Sequence, residues 1–393
     1  MTAPAGSLVA LFVAALALRP QILAAGPLLP SIQDDLGVSH TVGGLLGTIP
    51  VLCMGVFAPA AALLAGRFGA RLVIGSAVVL IAAGGLLRVA TADAAVLIAF
   101  TLPVGIGIAI GGTLMPMAVK ERLAHRPAFG TGIYATGIQL GSAVAAALAV
   151  PLAHVYGGWR FSLAVFSVAA ALSAFAWLAL TRDAPARPTA MIRPPRLPVR
   201  SAMAWGLAGV FALVGISFYG LSAWFPNAYV EHGWSEGRAG ALLAVLQAAT
   251  VVAGLAVPWL ADRAGSRRLY LISAAALQTG ALVGVLLAPG AGWLWAVLIG
   301  LGMGALFPIV MTLPLDLSQG PAQAGAVAGL MLGAGYTAIA LSPVVLGAVR
   351  DATGSFSASL WLIVGVGVCL TAASLALSRE RLRRHVLAEP ARP

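Results

Sequence analysis

The chain has 393 residues, of which 60% are hydrophobic and only 9% carry a charged side chain. Soluble domains have about 25% charged residues, so the composition excludes an ordinary soluble protein and indicates one embedded in a lipid bilayer. The net charge of +11 does not indicate nucleic-acid binding, because the basic residues stand between apolar runs of bilayer-spanning length.

Twelve apolar windows follow one another along the chain and predict twelve membrane-spanning helices. They cover residues 7–30, 41–64, 72–91, 95–119, 129–152, 160–180, 202–226, 237–260, 269–288, 293–314, 323–345 and 358–377. Most arginines lie in the loops after even-numbered windows, so the positive-inside rule places those loops and both termini in the cytoplasm. We therefore expect a multi-pass, all-α protein of the cytoplasmic (inner) membrane.

The chain divides near its midpoint at TRDAPARPTAMIRPPRLPVR, residues 181–200, which is rich in proline and arginine. Across this segment, residues 29–39 align with 225–235 and residues 64–71 with 260–267, both at an offset of 196 (226 − 30 and 263 − 67). We predict a six-helix bundle at 1–180, a cytoplasmic linker at 181–200, a second bundle at 201–378 and a basic tail at 379–393. Parallel six-helix repeats are the architecture of the major facilitator superfamily, whose substrates bind between the halves.

The loop WLADRAGSRR, residues 259–268, resembles the superfamily's signature between the second and third helices of a half. The first-half copy, LLAGRFGAR, has Gly66 where the signature has its aspartate. The resemblance implies a conformational role for the matching positions, which are Arg67, Gly69, Arg71, Asp262, Arg263, Gly265 and Arg267. The alternative is that Asp262 is a solvated loop carboxylate that only sets topology.

Several longer stretches resemble the cyanate permease and nitroimidazole transporter group of that superfamily. They are LRPQILAAGPLLP in the first window, GIGIAIGGTLMPMAVKERL in the fourth, FYGLSAWFPNAYVEHGWS in the seventh and GLGMGALFP in the tenth. The resemblance implies a small, compact substrate that is often an anion or a nitro-aromatic compound, and it leaves the direction of transport open.

Arg19 lies about 12 residues into the first window, which puts it roughly 18 Å deep and near the bilayer midplane. A charge at that depth costs at least about 2.5 kcal/mol, so the guanidinium is expected to face a wet cavity or a partner. All carboxylates fall at window ends or in loops, which leaves Arg19 without an obvious internal counterion. We predict an anion site centred on Arg19, the alternative being an arginine satisfied by backbone carbonyls and hydroxyls between helices for purely structural reasons. Pro20 directly after it predicts a kink.

The internal repeat ranks the other candidates for the site. Arg19 aligns with Gly215, so Tyr219 and Ser222 face the same central region, with Trp224 near its outer end. Polar or aromatic residues inside other windows complete the candidate set, namely Gln139, Gln247, Thr113, Phe307 and Tyr336. For each of them, helix packing is an equal alternative to substrate contact.

Asp35 and Glu231 occupy matched positions after the first and seventh windows and are candidates for an outer gate or proton relay. The windows contain no midplane carboxylate, which argues against proton coupling through a side chain there. A substrate that carries its own proton, anion exchange and uniport all stay open. Arg88 falls near an outer helix end.

Other functional classes have weaker support. GLGMGA, residues 300–305, matches a dinucleotide-binding pattern but lies inside an apolar window, so we expect neither nucleotide nor any other cofactor. The cysteines have no metal-ligand spacing, and no motif of a membrane enzyme is present. A broad-specificity drug or metabolite efflux carrier of the same fold is the main alternative to an anion carrier; an integral-membrane enzyme is a distant one. We expect a monomer whose partners are a small-molecule substrate and the lipid bilayer.

Overall fold

The computed structural model describes residues 5–90, 92–123, 127–182, 197–264, 267–318 and 321–376, and every regular element in these ranges is helical. Eleven helices are long and apolar enough to cross a membrane, and a bent pair, His40–Val56 and Ala58–Phe68, supplies the twelfth span. The prediction of twelve spans in an all-α fold is thereby confirmed.

The spans follow one another with short connections. Span 1 consists of Ala5–Leu16, Pro20–Leu23 and Ala25–Leu36, and span 2 of His40–Val56 and Ala58–Phe68. Spans 3 to 12 are Ala70–Val89, Ala94–Arg122, Pro127–Tyr156, Gly158–Leu180, Ala202–Glu231, Glu236–Ala264, Arg267–Leu287, Gly292–Leu317, Pro321–Thr353 and Phe356–Ala376, and a 3-10 turn, Pro289–Ala291, precedes span 10. Residues 183–196 of the predicted linker and the predicted tail lie outside the described ranges.

Spans 1–6 meet spans 7–12 mainly along three pairs of helices. Span 1 packs against span 7, span 2 against span 11, and span 5 against span 8. We call the end that holds the connections after odd-numbered spans the outer end, following the charge pattern, and the opposite end the inner end. A binding site between the halves would therefore be formed by spans from both halves of the sequence.

Glycines allow the closest approaches between the halves. A Cβ on Gly26 of span 1 would lie 2.3 Å from the main-chain oxygen of Ser222 in span 7. A Cβ on Gly44 of span 2 would lie 2.6 Å from the main-chain oxygen of Pro343 in span 11. Both distances are too short for any other residue, so the outer parts of the two halves touch backbone to backbone.

Span 2 bends by 58° at Phe57. Its outer piece, His40–Val56, packs against span 11 of the other half, whereas its inner piece, Ala58–Phe68, packs against spans 3 and 4 of its own half. The bend therefore turns the inner part of this helix away from the second bundle.

Candidate substrate-binding site

Arg19 stands at a break in span 1 rather than inside a regular helix. The first piece ends at Leu16, and Arg19 caps the four-residue helix Pro20–Leu23, with its carbonyl accepting from Ile22 N and Leu23 N at 3.1 and 3.2 Å. Pro20 causes the break, because its ring removes an N–H and clashes with the preceding turn. The predicted kink is thus a break, and Arg19 lies directly at it.

The Arg19 guanidinium contacts two tyrosines of the other half. Its Nη1 donates to the hydroxyl oxygen of Tyr219 in span 7, and its Cζ lies 5.5 Å from the centre of that ring. It also interacts with the hydroxyl of Tyr336 in span 11. Within the described ranges no carboxylate pairs with Arg19. The structure therefore brings together three of the predicted site residues around one positive charge.

The Tyr219 hydroxyl keeps hydrogen-bonding capacity, because its acceptor is weak. The hydroxyl of Tyr219 donates to Met54 Sδ at 3.6 Å, and a thioether is a weak acceptor. The Tyr336 ring packs edge-on against Phe211 at 5.1 Å between centroids. The centre consequently offers hydrogen-bond donors against an apolar and aromatic wall.

Ser222 lies one turn outward from Tyr219 and is buried with no hydrogen-bond partner for its Oγ in the described structure. It lines a small pocket between spans 1, 2 and 7 together with Ile22, Ala25, Gly26, Leu29, Gly43, Leu46, Gly47, Tyr219 and Ala223. An unpaired hydroxyl beside Tyr219 adds another donor next to the charged centre.

The remaining predicted site residues are spread over other surfaces. Gln247 is buried with its Nε2 unpartnered among the described residues, and Gln139 is half-buried. Thr113 is exposed and donates to Ala109 O of its own helix at 2.8 Å. Phe307 is exposed and contacts Phe211, at 6.2 Å between ring centroids. In the described structure none of these four residues forms a hydrogen bond, ion pair or ring contact with Arg19, so their role in binding stays a prediction.

Trp224 has a partner at the outer end. Its Nε1 donates to the main-chain oxygen of Pro343 at 2.7 Å, and its ring lies 5.7 Å from His40 and 5.4 Å from Phe356. The indole therefore joins span 7 to span 11 instead of presenting its N–H to the centre.

The two candidate gate residues make matched contacts inside their own halves. Asp35 accepts from Trp159 Nε1 at 3.1 Å and pairs with Arg160, at the start of span 6. Glu231 accepts from Arg350 Nε at 3.0 Å and from the main-chain N of Phe356, at the start of span 12, at 3.2 Å. Asp35 thus joins span 1 to span 6, and Glu231 joins span 7 to spans 11 and 12, while a gating role stays a prediction.

The contacts that join the halves at the outer end use residues that sequence reasoning missed. Asp351 of span 11 accepts from His40 Nδ1 and from the main-chain N of both His40 and Thr41, at 2.8 to 3.0 Å. Ser31 of span 1 donates to Glu236 of span 8 at 3.0 Å. The repeat gave no signal for the first contact, because position 155, which aligns with Asp351 (351 − 196), is a valine.

The first-half loop motif is partly described. Gly69 has a φ of +81°, which favours glycine, and it separates the second piece of span 2 from span 3. Arg71 donates to Thr181 Oγ1 at 3.1 Å and to Leu178 O at 2.9 Å, while Arg67 is exposed. In the second half, Gly265 and the side chains of Asp262, Arg263 and Arg267 lie outside the described residues.

The sequence family follows from a match along most of the chain. The family model described as Major Facilitator Superfamily matches residues 8–343. The chain belongs to the major facilitator superfamily. Among solved structures, a bacterial homologue of the human lysosomal transporter Spinster, in an inward-facing and occupied conformation, has the same fold, with a TM-score of 0.77, 17% identity and coverage of 98% of both chains.

Curated members of the superfamily resemble the chain over nearly its whole length. The cyanate transport protein CynX of Escherichia coli (strain K12) is 32% identical over 89% of this chain and 91% of that protein. The 2-nitroimidazole transporter of the same organism is 29% identical over 93% of each, and the uncharacterized transporter YycB of Bacillus subtilis (strain 168) is 30% identical over 93% and 91%. The chain is thus a multi-pass transporter of small molecules that resembles the cyanate and 2-nitroimidazole transporters.

Proposed function

We propose that the protein carries a small anion, or a compact polar molecule such as a nitro-heterocycle, across the cytoplasmic membrane by alternating access around Arg19. The observation that carries the proposal is the contact of Arg19, from the first half, with Tyr219 and Tyr336 of the second half and with no carboxylate in the described structure. The transport of cyanate and 2-nitroimidazole by relatives agrees with this substrate class.

The donor set explains the preference for an anion. The Arg19 guanidinium and the hydroxyls of Tyr219, Tyr336 and Ser222 all donate hydrogen bonds, and a guanidinium fork matches the oxygens of a planar anion. One positive charge is neutralised by one negative charge, which favours a monovalent ligand. A neutral nitro group presents similar acceptor oxygens, so a nitro-heterocycle is the second substrate class that this chemistry supports.

Contacts between the halves support a state that is closed at the outer end. Asp351 with His40 and Thr41, Ser31 with Glu236, and the close approach of Gly26 to span 7 all lie on the outer side of Arg19. The inner piece of span 2 turns away from the second half. With the termini in the cytoplasm, as the arginine distribution predicts, the central site is reached from the cytoplasm in this state.

We further propose that the six-helix bundles at 1–180 and 201–378 move as the two units of alternating access, joined by the cytoplasmic linker at 181–200. The pathway lies between two halves of one chain, so a monomer is sufficient. Since the described spans place no carboxylate beside Arg19, the carrier works by anion exchange, by uniport or with a proton that the substrate brings.

Binding to the purified protein tests the proposal. Cyanate, nitrate, benzoate and 2-nitroimidazole are compared by thermal shift and titration with the parent, Arg19→Lys and Arg19→Ala. Loss of a charged hydrogen-bond partner predicts a rise in Kd of about 10- to 100-fold for Arg19→Ala and a smaller rise for Arg19→Lys, which keeps the charge without the fork.

Arg238→Ala is the matched control, because Arg238 lies outside the centre, 3.9 Å from the centre of the Trp234 ring. It is expected to bind like the parent. Equal affinity of the parent and both Arg19 variants for the anions would refute the anion site. Binding of bulky neutral compounds alone would favour the efflux carrier.

A further inference from the structure

A second arginine is buried in the first half. Arg88, in the last turn of span 3, has only 1% of its surface exposed. In the part of the chain that the structure describes, no carboxylate forms an ion pair with it. An isolated buried guanidinium is costly in a membrane protein and usually marks a functional region.

Arg88 is held by one residue of span 1. Its Nη2 donates to the main-chain oxygen of Gln21 at 3.1 Å and to the side-chain Oε1 of Gln21 at 2.5 Å. Gln21 in turn donates through Nε2 to Ser167 Oγ at 2.8 Å and to Leu163 O at 3.4 Å, both in span 6. These hydrogen bonds join spans 3, 1 and 6 in a buried network.

A glycine in span 3 leaves the space that this network occupies. Gly85 lies one turn before Arg88, and a Cβ there would lie 2.4 Å from Ser167 Oγ and 2.9 Å from Gln21 Nε2. Those distances leave no space for a larger residue unless the network moves. Span 3 therefore contributes both the charge and the gap into which the Gln21 amide fits.

The network holds the helical segment that directly follows Arg19. Gln21 belongs to the four-residue helix Pro20–Leu23, which begins directly after Arg19 and is separated from Ala5–Leu16 by the Pro20 break. So short a helix has few internal hydrogen bonds to fix its position. Arg88 binds the backbone and the side chain of Gln21, and Ser167 binds its side chain. These contacts fix the helix Pro20–Leu23 relative to spans 3 and 6.

We propose that Arg88 is a positioning residue for the central site, which acts through Gln21 to fix the broken segment of span 1 and so aims Arg19 at Tyr219. The proposal rests on the proposed function, because it assumes that Arg19 binds the substrate. Arg88 itself lies against Gln21 and is not assigned a substrate contact. Nothing in the sequence pattern pairs residues 21, 88 and 167, since they come from three different spans.

The test compares Arg88→Met, Arg88→Lys, Gln21→Leu and Ser167→Ala in the full-length protein. Ser162→Ala is the matched control, because Ser162 is equally buried in span 6 but donates to Ala149 O of span 5 at 2.7 Å. Two quantities are measured: the Kd of cyanate, and amide hydrogen exchange of peptides that cover residues 17–24, which reports local opening without any ligand.

We expect Arg88→Met and Gln21→Leu each to raise the Kd by about tenfold and to speed exchange in 17–24, with the double variant no worse than either single one. Arg88→Lys is expected to restore part of the affinity. Ser167→Ala is expected to show a smaller effect in the same direction, and Ser162→Ala none.

Several results would overturn the proposal. If Arg88→Met lowers the melting temperature but leaves the cyanate Kd at the parent value, Arg88 has only a structural role. If the parent binds no anion, the proposed function fails, and exchange then decides the positioning role by itself. Faster exchange confined to 17–24 supports that role, whereas unchanged exchange there refutes it.

Discussion

The Asp351 carboxylate, at the end of span 11, accepts hydrogen bonds from both the main-chain N and the hydroxyl of Thr41, at 2.8 and 2.5 Å. Thr41 lies in the first turn of span 2, where free N–H groups and the helix dipole favour a negative charge. Because spans 2 and 11 belong to different halves, this contact joins the halves at the outer end.

Removing that charge is expected to open the outer end. In a background without Cys53 and Cys369, a cysteine at position 222 reports access to the pocket beside Tyr219. With Asp351→Asn, we expect a membrane-impermeant maleimide added outside intact cells to label it about tenfold faster, since charged hydrogen bonds contribute about 1.5–3 kcal/mol each.

Asp35→Asn is the control for this experiment, because Asp35 pairs with Trp159 and Arg160 inside the first half. It is expected to leave the labelling rate unchanged. Equal labelling of the parent and Asp351→Asn would mean that the contact does not close this end. If Asp351→Asn speeds labelling only for maleimide applied from the cytoplasmic side, the predicted orientation is wrong.

The tyrosine hydroxyls are expected to contribute to anion affinity. Tyr219→Phe and Tyr336→Phe should each raise the Kd of cyanate by about five- to tenfold, since each removes a hydroxyl that interacts with Arg19. Isothermal titration of the purified variants measures the change.

Tyr229→Phe is the control for these two variants, because the Tyr229 hydroxyl is buried without a hydrogen-bond partner among the described residues. Its loss should leave the Kd unchanged and keep or raise the melting temperature, since an unsatisfied buried hydroxyl is removed. A tighter Kd in Tyr219→Phe would show instead that the phenol competes with the anion for Arg19.

The contact between spans 1 and 7 depends on a glycine. Gly26→Ala would place a Cβ 2.3 Å from Ser222 O, and overpacking of this kind costs about 1–3 kcal/mol. We expect a lower melting temperature and faster labelling at position 222 from outside. Gly112→Ala, where no atom lies within 4 Å of the added Cβ, should be neutral or slightly stabilising. Equal melting temperatures for the two variants would contradict the close approach.

Anion affinity is expected to be insensitive to pH. Arginine keeps its proton throughout the neutral range, and no carboxylate of the described chain pairs with Arg19. The Kd of nitrate, which stays ionised, should therefore change by less than about twofold between pH 6 and pH 8. Titration at a series of pH values measures this, and a steep loss of affinity toward high pH would reveal a titrating group in the site.

The sequence predicted the fold well, because the signals it uses are local. Apolar length gives the spans, and the offset of 196 residues gives the two halves. The same repeat placed Tyr219 in the same central region as Arg19, since it aligns span 1 with span 7. Tyr336 was one of several polar and aromatic candidates, and only packing brought it to the guanidinium.

Sequence by itself determined that this chain is an all-α, multi-pass membrane protein, and it predicted two related halves and an arginine near the midplane, because hydrophobic length, charge bias and internal repetition are local properties of the sequence. Only the tertiary structure decided which groups contact these charged side chains: Tyr219 and Tyr336 for Arg19, Gln21 for Arg88, and the start of span 2 for Asp351. Each of these contacts joins helices distant in sequence, and its geometry depends on how helices cross and where prolines break them, which no local pattern records.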